Sequence, residues 1–108
     1  MIKINFSTKN DEIIGFESKG HAGYREYGQD IVCSAVSILV INTINAIETF
    51  TTDDFTLEEN EKAGLIMVNF EKSLSDQSKL LLDTLVLGLK SIENEYGNQY
   101  INISIKEV

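Results

Sequence analysis

The sequence predicts an α+β fold: a two-layer sandwich in the order β-β-α-β-β-α-β, with a largely antiparallel sheet and two long helices. Three observations carry that expectation. The chain opens and closes on segments that alternate apolar and polar residues, the period-two mark of a half-buried strand. Two long apolar-patterned runs each follow residues suited to cap a helix. Short strand-like segments separated by turn residues precede each of those runs, an order that suits helices laid against a sheet.

The elements follow in turn. "IKINFST" sets Ile2, Ile4 and Phe6 against polar neighbours. Lys9, Asn10 and Asp11 are turn chemistry, so "EIIGFESK" returns as the second strand of a hairpin. "DIVCSAVSILVINTINAIETF" is rich in β-branched residues, which lowers helix propensity, yet its length and the N-cap candidates at its start favour a buried helix. Because it is apolar on nearly all sides, it is expected to be covered on both sides or packed at an oligomer interface. Phe55 and Leu57 begin a strand, Asn60 to Gly64 form a turn, and Leu65 to Phe70 form the next strand. In the second helix Ser75 or Asp76 is the cap, Leu81, Leu85, Leu89, Ile92 and Tyr96 are the apolar stripe, and Gly97 is the terminator. "QYINISIKE" alternates into a final strand.

A length of 108 residues suits one domain, 1–108. Hydrophobic residues at 43% and charged residues at 24% fit a globular protein. No apolar run is expected to reach the ~18 residues of a membrane span, and "MIKINFSTKNDE" lacks the apolar core of a secretion signal. The expected location is therefore cytoplasmic, with no membrane partner. A single cysteine cannot form an internal disulfide, in keeping with that compartment. The net charge of −8 disfavours direct nucleic-acid binding, which depends on cations neutralising phosphates, and favours basic partners.

The chemistry gathers in "GHAGYREYGQDIVCSAVS", which holds the one histidine and the one cysteine of the chain. With Asp30 as N-cap, Cys33 is the third helical residue, where unpaired N–H groups and the helix dipole lower a thiol's pKa. His21 can fold back across the loop as general base or as the cationic half of a thiolate–imidazolium pair. Asp30 caps the helix, orients His21, or does both, while its charge opposes a thiolate. Ser34 and Ser37 share the helix face of Cys33. Gly20, Gly23 and Gly28 allow close approach and leave the segment mobile, and Tyr24 and Tyr27 are suited to pack over an extended peptide. A lone cysteine in an apolar helix is nevertheless most often a core residue, and Asp before such a run is first of all a cap. One His and one Cys leave only carboxylates to complete a metal shell, so no metal or cofactor is expected.

This stretch resembles the signature of the ribosomal-processing cysteine proteases, the Prp family of small bacterial enzymes. The matching residues are Gly20-His21-Ala22, then Gly28-Gln29-Asp30-Ile31-Val32-Cys33, then Ser37, with Ser34 where relatives often carry alanine. Length and element order also match. The resemblance implies a cysteine endopeptidase that removes a short N-terminal extension from a large-subunit ribosomal protein. It implies His21 and Cys33 as a catalytic dyad assisted by Asp30, a flexible loop over the active site, and a homodimer. The basic precursor is the expected partner, and the acidic chain suits it. Backbone N–H groups at the helix start, including that of Cys33, are expected oxyanion donors. A non-catalytic binding module for a ribosomal protein and a cytosolic thiol sensor are the alternatives.

Overall fold

Asn10 and Asp11 both adopt left-handed backbone angles, φ 52° and 64°. Two such residues in succession make the tight turn whose twist matches that of paired strands. They join β1 (Ile2–Lys9) to β2 (Glu12–Lys19) as an antiparallel hairpin. The computed structural model describes residues 1–26 and 29–108. After β2 come α1 (Ile31–Phe50), β3 (Thr56–Asn60), β4 (Leu65–Asn69), α2 (Asp76–Tyr96) and β5 (Ile101–Glu107), the order expected from sequence.

The five strands form one sheet in the order β3-β4-β2-β1-β5. The β1–β2, β2–β4 and β3–β4 pairings are antiparallel, and β1–β5 is parallel. The parallel pair follows from connectivity, since a long crossover through both helices separates β1 from β5. Ile2, Ile4 and Phe6 of β1 point inward, and Phe6 packs on Phe16 of β2 with ring centroids 5.5 Å apart. Val32, Val36, Val40, Ile44 and Ile47 of α1 join Leu82, Leu85, Leu89 and Ile92 of α2 in the same core cluster. Each fully buried side chain of this size contributes about 1.5–3 kcal/mol relative to exposure.

Three sequence expectations need adjustment, and one alternative is resolved. In α2 the inward leucine is Leu82, with Leu81 half-buried on the shoulder of the stripe. Ser75 is the cap, its hydroxyl accepting from the Ser78 N–H. Ile31, Ile38, Ile41 and Phe50 of α1 are exposed, because the core takes only one side of that helix; coverage on both sides is not met within this chain. At 20 residues, α1 is also long and apolar enough to cross a membrane by length and composition. The run is longer than the sequence expectation because Ser34, Ser37, Asn42 and Asn45 interrupt it without charge, leaving Glu48 as its one charged residue.

Asp53 ties the end of α1 to the start of α2. Its carboxylate accepts from the Ser75 N–H at 3.0 Å, the Ser75 hydroxyl at 2.6 Å and the hydroxyl of fully buried Ser78. The Ser75 and Ser78 hydrogen bonds hold its carboxyl below the usual carboxylate range. A group with a depressed folded-state pKa stabilises above its ordinary value, and that contribution is lost as pH falls through the folded value. Asp53→Ala is expected to lower stability by about 1–3 kcal/mol by removing the charged acceptor of the Ser75 and Ser78 hydroxyls. Urea unfolding at pH 7 measures this, and the deficit relative to wild type should shrink below the ordinary carboxyl pKa.

Candidate active site

Asp30 organises the start of α1. One carboxylate oxygen, Oδ1, accepts from the N–H groups of Val32 and Cys33, each at 3.0 Å. The other, Oδ2, accepts from the Tyr24 N–H at 3.0 Å. The cap therefore also fastens the preceding loop, and Cys33 becomes the third residue of the helix, as expected.

The same loop brings its backbone to the sulfur. The Ala22 N–H donates to Cys33 Sγ at 3.1 Å, with the Ala22 side chain buried behind it. Tyr24 stacks edge-on against Tyr96 at the end of α2 and Tyr100 beside β5, at 5.6 and 5.1 Å. Arg25 lies over the Tyr24 ring at 4.6 Å. Tyr24 is thus a loop anchor rather than a cover over a peptide. Tyr27 and Gly28 lie outside the described residues.

His21 is exposed and meets the β3–β4 turn. Its Nε2 lies 3.5 Å from the Lys62 carbonyl oxygen. A carbonyl only accepts, so this contact is a hydrogen bond when Nε2 carries the proton. Gly64, at φ +61°, makes the approach possible: a Cβ there would lie 2.6 Å from the Gly20 carbonyl oxygen and 3.1 Å from the His21 ring. The Gly20 N–H in turn donates to the Ala63 carbonyl at 3.3 Å. The turn residues Lys62, Ala63 and Gly64 are thus parts of the site that the sequence reading missed. Turn chemistry was the one signal they carried, some forty positions from His21.

Two cavities meet at the pair, and His21, Cys33 and Ser37 line both. One, of about 350 Å³, also touches Gly20 and opens toward the β3–β4 hairpin. The other, of about 660 Å³, touches Gly23, Asp30 and Ser34. The structure therefore gathers Gly20, His21, Gly23, Asp30, Cys33, Ser34 and Ser37 around one cleft, with Ala22 beneath it.

The electrostatics correct two expectations. Burial pushes the Cys33 thiol up, the Ala22 N–H pulls it down, and the Asp30 carboxylate pushes it up again; the net effect is a raised pKa, not the lowered one expected from the helix start. The Cys33 N–H, expected to face an oxyanion, is engaged by Asp30. Burial raises the Asp30 carboxyl, but the hydrogen bonds from the Cys33 and Tyr24 N–H groups, the Cys33 thiol and the Val32 N–H outweigh it and hold the carboxyl below its ordinary value.

Residues 1–102 match the family described as Cysteine protease Prp. A ribosomal processing cysteine protease Prp of Staphylococcus aureus is 32% identical over 101 residues, covering 92% of this chain and 94% of the relative. Its Bacillus subtilis counterpart is 31% identical over 101 residues, covering 89% and 90%. Among solved structures, the S. aureus essential ribosomal processing protease Prp with a covalently linked product peptide superposes with a TM-score of 0.92 at 28% identity, over 98% of this chain and all of that one. The S. aureus protein with a substrate peptide gives 0.86 at 27% identity, over the same shares.

Asp30→Asn separates the two effects of the carboxylate. Asparagine caps helices about as well as aspartate, but it removes the charge that opposes a thiolate. Iodoacetamide is expected to alkylate Asp30→Asn faster than wild type at pH 7, with the midpoint of the rate–pH profile moved to lower pH. An unchanged profile would mean that Asp30 does not set the thiol's ionisation.

Proposed function

The chain belongs to the Cysteine protease Prp family, and on that premise we propose that Cys33 is the nucleophile, activated by His21, of an endopeptidase that trims a short N-terminal extension from a large-subunit ribosomal protein precursor. The observation that carries this reading is that the one cysteine and the one histidine of the chain line the same two cavities. A family of cysteine proteases requires a cysteine, and this chain offers no other. The similarity to ribosomal processing cysteine proteases and the net charge of −8 support a basic ribosomal substrate.

Because the resting thiol is held neutral, His21 acts as general base rather than as half of a standing ion pair. Sγ attacks the scissile carbonyl carbon as its proton passes to the imidazole. The tetrahedral adduct then collapses, the C–N bond breaks, and His21 returns the proton to the departing amine. Water, deprotonated by the same imidazole, hydrolyses the thioester and restores the thiol. The Ala22 N–H steadies negative charge as it develops beside the sulfur. Asp30 positions Cys33 and the loop through hydrogen bonds from backbone N–H groups and the thiol. The same proposal includes a cytoplasmic location and a homodimer, the latter supported by exposed Ile31, Ile38, Ile41 and Phe50 on α1.

Cys33→Ala is expected to abolish cleavage of a precursor peptide spanning the extension while leaving the circular dichroism spectrum unchanged. His21→Ala should reduce kcat/KM by about 10²–10⁴, the usual worth of a positioned general base. Near wild-type trimming by Cys33→Ala, followed by mass spectrometry, would overturn the assignment.

A further inference from the structure

The two cavities differ in charge. The smaller one has an apolar floor from Val36 and Val40 of α1 and Ile66 of β4, and its mouth carries Glu59 and Glu61. Among the described residues no Lys or Arg lines it. Glu59 and Glu61 are exposed on the outermost strand and its turn, and among the described residues the one ion pair is Glu12–Lys79, elsewhere on the molecule. The larger cavity, across Cys33, has Arg25 and Ile38 in its wall and Asp30 as its one carboxylate, which is buried and bonded to backbone.

An apolar channel that ends in carboxylates suits a side chain with an aliphatic stem and a cationic head. Lysine and arginine bury their methylenes along apolar walls and keep the charge at the rim. A volume of about 350 Å³ lies within the range of pockets that hold small ligand groups. We propose that this cavity is the subsite for a lysine or arginine side chain of the substrate, with Glu59 and Glu61 as its specificity-determining residues, on one side of the scissile bond only. This rests on the reading of Cys33 as nucleophile, since the subsite is defined by its distance along the peptide from the bond that Cys33 attacks. Arg25 at the other cavity disfavours a cation there.

The test is a set of fluorogenic peptides spanning the extension, with lysine or uncharged norleucine placed at each position in turn. Lysine is expected to raise kcat/KM over norleucine by about fivefold at one or two positions on one side of the cut, the worth of an exposed ion pair of about 1 kcal/mol. The gain should fade as salt rises. In the Glu59→Gln/Glu61→Gln variant the ratio of kcat/KM for lysine over norleucine peptides should fall to about one. Binding of the same peptides to Cys33→Ala, read by fluorescence anisotropy, tests the subsite without chemistry. No cleavage by wild type, with lysine-selective binding that Glu59→Gln/Glu61→Gln erases, would refute the nucleophile and support the cavity. Equal treatment of lysine and norleucine in both assays, or a preference that survives the double substitution, would overturn the subsite.

Discussion

One carboxylate holds the site together. Asp30 accepts three backbone hydrogen bonds, two from the first turn of α1 and one from Tyr24 in the loop before it. A cap of this kind contributes about 0.5–2 kcal/mol to a helix, but its structural reach here is wider. It fixes where the helix begins, and hence where Cys33 points. It also closes the loop over the helix start, so that the Ala22 N–H reaches Sγ and His21 lines the same cleft as the thiol. The aromatic packing of Tyr24 on Tyr96 and Tyr100 secures the far side of the same loop.

That arrangement has a chemical cost. The carboxylate that builds the site also opposes ionisation of the thiol, and burial adds to the effect. A cysteine at a helix start is ordinarily favoured as thiolate; here the N–H groups that would favour it are turned to Asp30. On the proposed mechanism the proton leaves during the reaction, which places the demand on His21. The β3–β4 turn meets that demand from across the fold, with the Lys62 carbonyl beside Nε2 and Gly64 leaving room for the ring. The acidic rim of the cleft comes from the same hairpin, so one turn both contacts His21 and shapes one arm of the cleft.

Much of the fold was legible in the sequence. The alternation of Ile2, Ile4 and Phe6, the turn at Lys9 to Asp11, Ser75 as a cap candidate and the Gly97 terminator are local signals, and each holds. Asp30 and Cys33 were legible for the same reason, since a cap and a helical position are set within a few residues. What depends on distant contacts was not. The Lys62–Gly64 turn read as an ordinary turn, because its contacts with Gly20 and His21 exist only once β2 and β4 pair. The thiol's raised pKa also escaped the sequence, which shows a helix start but neither the depth of burial nor which oxygen claims which N–H. Tyr24 was misjudged likewise, its partners lying more than seventy positions away.

The central claim is that Cys33 rests as a neutral thiol and loses its proton to His21 only during attack. Thiolate absorbance near 240 nm, titrated with pH and referenced to Cys33→Ser, tests it directly because the chain has one cysteine. The account predicts a midpoint above the ordinary thiol range in the free protein. A midpoint several units below that range, with thiolate already present at neutral pH, would contradict it and make Cys33 and His21 a standing ion pair.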